Sequence, residues 1–405
     1  MATSPNFNKI LLGATGYTGR ICAEHITLNF PTSLRWAISG RFSQTLKKLA
    51  GYLKTLNPNR YPSEIIVTLI DDNSLPNLAR QTKVLVNGVG PYHRYSEPIL
   101  RTCAQEGTHY VDFSTETPRI AEMVAQYEDT AKKSGSIIIP AASLSSSPPD
   151  LLAWLIASKL REKNGKPTKE IVACSKLNMA GMQGTSAITA LESAQHYGIG
   201  WLLSPNPYYL IPANSSSDKK KLSLVFLGYK NHEYLGALTT SLVGVSNSAI
   251  IQRSAYLDPS LYAPDFVYAE YEPTSNTFAA ILAHLFIKFA VFLLGISLIR
   301  SLLRRLSYEP GTGPDWREST KTESAIIDAI GFGGNGTKVR GKFVWKGALV
   351  HISAIAAIEA AGLLTEKATA GELKGKGGMR TPSFLGIELI ERLEAHGCVF
   401  EVEVL

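Results

Sequence analysis

Paired cysteines, metal-ligand spacings and long blocks of one charge are all missing from this 405-residue chain. Its four cysteines, Cys22, Cys103, Cys174 and Cys398, are scattered, with no C-x-x-C pair and no histidine at ligand spacing. That argues against a disulfide framework and a zinc site, and suits reduced thiols in a chain facing the cytosol. No H-E-x-x-H pair occurs, so no metal is expected, and no G-x-S-x-G elbow is present to supply a hydrolase nucleophile. Charged residues make up only 19% and apolar ones 45%, too apolar a balance for a disordered segment. Forty-one Lys+Arg against 34 Asp+Glu leave +7, and the single basic cluster, Lys219-Lys220-Lys221, reads as a solvated loop. A nucleic-acid partner is therefore not expected. The N-terminus lacks the charged start and apolar core of a signal peptide, which makes a cytoplasmic location the expectation.

What is present is a chain long enough for two or three domains. A short apolar run, Lys9-Ile10-Leu11-Leu12, stops at glycines and resumes as Ile21-Cys22-Ala23, which predicts strand, tight turn, helix. Further strand-like runs at 34–39, 65–69, 84–87, 110–113 and 137–140 alternate with helix-like stretches. This alternation predicts a doubly wound parallel α/β sheet over residues 1–145. The Ser/Pro cluster 143–150 marks a change of texture. Beyond it, 146–405 is expected to form an α+β domain, with strands at 170–178, 222–227, 234–240, 249–256, 338–345 and 398–405 and late helices at 348–364 and 381–396. One segment, 277–299, is mostly apolar, broken by His284 and Lys288 and followed by Arg300, Arg304 and Arg305. It reads as a buried or partner-packing helix, an interfacial membrane-docking helix or a span, the lysine weighing against the last.

Gly13, Gly16 and Gly19 follow the first strand as G-x-x-G-x-x-G. Glycines there permit the turn and let the backbone approach a pyrophosphate at the helix N-terminus, so Thr15, Tyr17 and Thr18 join them as candidate dinucleotide contacts. The second strand ends in Ser39-Gly40-Arg41, with a guanidinium where an acidic residue would meet the 2′-hydroxyl of NAD. Arg41 favours NADP through its 2′-phosphate, or else is a surface arginine. Asn87, Gly88, Gly90 and Tyr92 lie in a second glycine turn at a strand end and are candidates for the ribose-nicotinamide half, or an ordinary Gly-Pro turn. Tyr110, Asp112 and Ser114 share one strand face near Glu116, and either line a pocket or hold the loop. Tyr92, Tyr110 and Asp112 are the candidate catalytic residues, with a tyrosine as proton donor.

These elements resemble the saccharopine dehydrogenase-like oxidoreductases, and within them the branch that includes trans-acting enoyl reductases. The motifs that carry the resemblance are Gly13-Ala14-Thr15-Gly16-Tyr17-Thr18-Gly19, Ser39-Gly40-Arg41, Asn87-Gly88-Val89-Gly90-Pro91-Tyr92, Gly107-Thr108-His109-Tyr110-Val111-Asp112, Pro148-Pro149-Asp150-Leu151, Gln252-Arg253-Ser254 and Pro310-Gly311-Thr312-Gly313-Pro314. The resemblance implies a Rossmann-like N-terminal domain, a C-terminal α+β domain, NADP, and reduction of a lipophilic polyketide or lipid intermediate, free or carrier-bound. It also implies membrane or lipid-droplet contact and is compatible with a homodimer. Thr115 and the stretch Ala142-Ser143-Leu144-Ser145 depart from the family pattern near the expected pocket. A non-redox cyclase or isomerase on the same scaffold, and a membrane-docked scaffold protein, remain as alternatives.

Overall fold

The computed structural model describes residues 5–203, 206–212, 227–334 and 336–405. Lys219, Lys220 and Lys221, and all of the expected strand at 222–227 except Leu227, lie outside them.

Six strands form first: β1 (Phe7–Leu12), β2 (Trp36–Gly40), β3 (Glu64–Val67), β4 (Thr82–Asn87), β5 (His109–Asp112) and β6 (Ile137–Ile139). The central ones read as nearly continuous apolar runs because helices cover both faces. Helix Ser147–Asn164 then leads to β7 (Thr168–Asn178), β8 (Tyr229–His232), β9 (Gly236–Thr240), β10 (Tyr262–Thr274), β11 (Ser324–Gly333) and β12 (Lys338–Lys346). The last two strands part company: β13 (Gly378–Met379) pairs in parallel with β6, and β14 (Val399–Val404) pairs antiparallel with β12.

Among the described residues the first sheet runs β13-β6-β5-β4-β1-β2-β3, parallel throughout. The second runs β14-β12-β11-β7-β10-β9-β8, antiparallel except between β7 and β10. This is the expected doubly wound Rossmann-like sheet with an α+β domain. One apolar cluster runs from Leu11 and Val86 through Ile156 and Ile171 to Phe343, so the two sheets share a core.

Three expectations need correction. The segment 249–256 is helical, within Val243–Leu257, and nearly all of its side chains are buried. A short apolar run buried all round has no period to separate helix from strand. The division at residue 145 is also incomplete, because helix Leu349–Ala370 packs on β1, β4 and β5 and β13 completes the first sheet. The chain leaves the first domain at Ser147 and returns to it after β12. Finally, the expected helix at 381–396 starts as a 3-10 turn, Pro382–Leu385, before Gly386–Ala395.

Candidate cofactor and substrate site

β1 ends at Leu12, and Gly13 takes φ +79°, a backbone conformation that L side chains rarely adopt. A Cβ on Gly13 would stand 2.9 Å from the Gly88 carbonyl carbon, and one on Gly19 only 2.3 Å from the Gly13 oxygen. The first loop, the turn after β4 and the opening turn of helix Tyr17–Asn29 thus meet backbone to backbone. That helix starts at Gly16 with no side-chain cap among the described residues, leaving its first amides for an anion. Arg41 stands exposed one residue beyond β2 at the same cavity, 5.3 Å from the Phe42 ring, with no carboxylate partner among the described residues. A bare glycine cradle with a free guanidinium beside it fits a dinucleotide carrying a 2′-phosphate.

The second domain closes over this cradle. Tyr17 Oη donates to the Pro314 carbonyl at 2.6 Å, and Thr18 Oγ1 donates to Gln183 Oε1 at 3.1 Å. A Cβ on Gly313 would lie 3.1 Å from the Tyr17 ring, so the loop 310–314 can lie this close only with glycine there. Between the domains is a cavity of about 1260 Å³. That exceeds the roughly 300–1,000 Å³ of a single-ligand pocket and leaves room for a substrate beside a cofactor. Its lining also includes Trp201, Leu202, Leu242, Val243, Val291 and Leu294, an apolar contribution from the second domain.

Of the candidate cofactor contacts, Gly13, Thr15, Gly16, Tyr17, Thr18, Gly40, Arg41, Gly88, Gly90 and Tyr92 line this cavity. Gly19 and Asn87 do not. Gly19 is the packing point just described, and Asn87 is spent inside: its Nδ2 donates to Tyr110 Oη at 2.9 Å and its Oδ1 accepts from Val89 N at 3.0 Å. Of the candidate catalytic residues only Tyr92 reaches the cavity. Its hydroxyl donates to the Asn87 carbonyl at 3.2 Å, and burial, with Asp112 and Glu116 nearby, pushes its pKa well up, so it stays a protonated donor.

Tyr110 and Asp112 do not line the cavity. Tyr110 Oη donates to Asp112 Oδ2 at 2.7 Å. Asp112 Oδ1 also accepts from Ser114 N, Ser114 Oγ and Ala141 N, at 2.9, 2.7 and 3.0 Å. With four donors on it, this carboxylate ties the ends of β4, β5 and β6 together. It also holds Ala141 at φ +59°, a left-handed conformation costly for a residue with a Cβ. Burial raises the Asp112 pKa, and these donors oppose the rise.

At the cavity wall Glu116, noted in the sequence beside the Tyr110–Asp112 face, meets His93 and Glu192, a juxtaposition with no signal in the sequence. Glu116, buried and lining the cavity, has an Oε1 with no hydrogen-bond partner among the described residues, 3.6 Å from His93 Nδ1. His93 Nε2 is 3.4 Å from Glu192 Oε2, which Arg94 Nε approaches to 2.8 Å, and Arg304 reaches the other Glu192 oxygen at 2.6 Å. His93 thus stands between two carboxylates, an arrangement suited to acid–base chemistry at the cavity wall. His93 and Glu192 come from separate domains, so no spacing rule connects them.

A second cluster sits behind the first sheet. His25 Nε2 and His396 Nε2 lie 2.8 and 3.2 Å from Glu359 Oε1, and the three ligand-type atoms fall within 4.8 Å of one another. Arg392 reaches Glu359 Oε2 at 3.2 Å, and fully buried Lys9 lies close enough for Glu359 to act on its charge. The geometry describes a hydrogen-bonded cluster around Glu359 that braces helices Tyr17–Asn29, Leu349–Ala370 and Gly386–Ala395.

Fold and site together define a two-domain dehydrogenase scaffold built for a nicotinamide dinucleotide. Residues 10–139 match the family model of the saccharopine dehydrogenase NADP-binding domain. The chain is 28% identical over 325 residues to a trans-acting enoyl reductase of Mycobacterium tuberculosis, covering 76% of this chain and 77% of the relative. It is 26% identical over 436 residues to the mouse saccharopine dehydrogenase-like oxidoreductase, covering 99% of each. Apo saccharopine dehydrogenase (L-Glu forming) from Saccharomyces cerevisiae superposes with a TM-score of 0.53 at 11% identity, covering 98% of this chain and all of that one, which shows the shared fold. The chain thus carries a saccharopine dehydrogenase-type NADP-binding domain and is similar along its length to saccharopine dehydrogenase-like oxidoreductases, and its cofactor is NADP.

Proposed function

We propose that this oxidoreductase reduces a carbon–carbon double bond conjugated to a carbonyl, in a lipophilic acyl or polyketide-type intermediate, free or on a carrier. The observation that supports it is that one cavity is lined both by the glycine cradle and by the apolar Trp201, Val291 and Leu294, matched to the name of the mycobacterial relatives. NADPH, when bound, supplies the hydride. The chain's residues do the rest. The cradle of Gly13, Gly16 and Gly88 and the Arg41 guanidinium bind and orient the dinucleotide. The loop 310–314, latched by Tyr17, excludes water from above it. Glu116, with His93 beside it, is the acid–base candidate at the cavity wall for the carbon next to the carbonyl.

The experiment is titration of the protein with NADPH and NADH by nicotinamide fluorescence, followed by absorbance loss with a series of enoyl thioesters of increasing chain length. NADPH binding with oxidation that rises with chain length is the expected result. Tight binding with no turnover on any acceptor would point to a non-redox isomerase or cyclase.

A further inference from the structure

Helix Gly184–His196 forms one wall of the cavity. Thr185, Thr189 and Ser193 recur on it at four-residue intervals, which places them on one face, and all three line the cavity. The helix starts at the cofactor side: a Cβ on Gly90 would stand 3.1 Å from Thr185 Cγ2, and Thr185 Oγ1 accepts from Gly311 N at 3.2 Å. Ser193 is eight residues further on, about 12 Å along the axis at about 1.5 Å per residue. Helix Thr277–Leu294, which brings Val291 and Leu294 to the cavity, packs both against this helix and against the short helix Gly200–Leu203 that carries Trp201. Lys288 Nζ fixes that short helix by donating to the Leu203 carbonyl at 3.3 Å.

Two donors in this region are left over. Ser193 is only 1% exposed, and its Oγ has no hydrogen-bond partner among the described residues; neither has the buried indole Nε1 of Trp201. Both residues line the cavity, and an indole N–H can only donate. Val291 and Leu294, which line it from the helix packed against them, offer no acceptor. A buried donor without an acceptor carries the desolvation cost of that group, which a ligand oxygen recovers on binding.

We propose that Ser193 Oγ and Trp201 Nε1 form a subsite for an acceptor oxygen on the tail of the substrate, so that the enzyme takes an oxygenated acyl chain in preference to a plain hydrocarbon one. The acceptor belongs to the tail because the carbonyl conjugated to the reacting double bond stays with the nicotinamide, at the glycine turn where the helix begins. An apolar wall separates chains that differ by a methylene only weakly, whereas a site that commits buried donors to a substrate oxygen strongly rejects the analogue lacking it. Ser193 and Trp201 are thus the specificity residues of a cavity whose remaining second-domain lining is largely hydrocarbon. That the ligand is a reducible acyl chain rests on the reductase reading; the two unmet donors do not.

The test uses the full chain loaded with NADP+, which cannot deliver a hydride, so that calorimetry reads affinity alone. The probes are enoyl N-acetylcysteamine thioesters of one chain length, one with a plain hydrocarbon tail and the others with a single keto group walked along the tail. Wild type is expected to bind one keto position about tenfold or more tighter than the plain chain, and Ser193→Ala and Trp201→Phe each to shrink that ratio to about threefold or less. NADPH affinity checks the fold of both variants. With NADPH in place of NADP+, the same preference should appear in kcat/KM, carried by KM rather than kcat. The subsite is overturned if wild type favours no keto position, or binds no probe, or if both variants keep the full preference. Equal weakening of plain and keto chains overturns it too, since the donors would then serve the conjugated carbonyl. A keto preference that the variants abolish, with no oxidation of NADPH by any thioester, fails the reductase reading and leaves the subsite standing.

Discussion

Ser254 Oγ donates to Asp150 Oδ1 at 2.5 Å, joining two sequence motifs that lie 104 residues apart. Asp150 also accepts from Ser383 N at 2.8 Å, and Ser254 Oγ lies 2.7 Å from Thr381 Oγ1. The neighbouring Arg253 donates to Glu128, to the Leu210 carbonyl and to the Met379 carbonyl, at 2.8, 2.7 and 2.7 Å. The motifs Pro148-Pro149-Asp150 and Gln252-Arg253-Ser254 are thus a clamp between helices Ser147–Asn164 and Val243–Leu257 and the segment that brings β13 back to the first sheet. None of the three side chains lines the cavity.

Burial raises the Asp150 carboxyl from 3.8 to about 6, with its hydrogen bonds opposing the rise. A raised acid binds more protons folded than unfolded, so between about pH 4 and pH 6 stability falls as pH rises, and the full penalty is present above that window. Asp150→Asn removes the titration. Its urea midpoint, measured relative to wild type, should climb as pH goes from about 5 to about 7. An unchanged difference would show that Asp150 is not the titrating group.

The glycine loop, the parallel sheet and Arg41 were legible because each is a local pattern: a run of apolar residues, a turn that only glycine makes, a charge at a strand end. The clamp, the His93–Glu116–Glu192 cluster and the two-residue β13 were not, because their partners meet only when the chain returns after β12. Tyr110 and Asp112 look the same in sequence whether they face a ligand or each other. The segment 277–299 was legible as apolar, but only the fold shows that its polar side faces inward.

Arg41→Ala should weaken NADPH binding by about tenfold to a hundredfold and NADH binding by less than about threefold, since a charge-assisted pair to the 2′-phosphate exists only for the former. Fluorescence titration reads both. Equal losses would make Arg41 a general rim residue.

Lys9 is buried, its Nζ has no hydrogen-bond partner among the described residues, and it sits 3.7 Å from the centre of the Phe30 ring. Burial lowers its pKa from 10.5 to about 7, against the pull of Glu359. The unfolded chain holds the proton more tightly, so wild-type stability should rise with pH from about 7 towards 10, by at most about 1.4 kcal/mol per pH unit. Lys9→Met should be more stable than wild type at neutral pH and lose that advantage at the alkaline end. Thermal melts across the range check it, and parallel curves would contradict it.

Gly19→Ala would place a methyl 2.3 Å from the Gly13 carbonyl oxygen, a backbone atom with nowhere to go. The helix must shift away from the loop, opening the cradle. NADPH affinity should fall by about tenfold or more, with a stability loss of about 1–3 kcal/mol from overpacking. Gly51→Ala is the control, because a Cβ there meets nothing within 4 Å, and it should keep wild-type affinity.

Glu116→Gln and Tyr110→Phe separate the two readings of the polar residues after β4. Glu116 lines the cavity beside His93, so its amide should lower kcat on an enoyl thioester by about 10²-fold while leaving NADPH affinity within about twofold. Tyr110 spends its hydroxyl between Asn87 and Asp112, away from the cavity. Its phenylalanine variant should keep kcat within a few fold and cost about 1–3 kcal/mol in stability, because Asp112 is left with a buried lone pair unmet. The reverse pattern, with Tyr110→Phe inactive and stable and Glu116→Gln active, would move the proton source to the tyrosine and require the strand ends to rearrange when substrate binds.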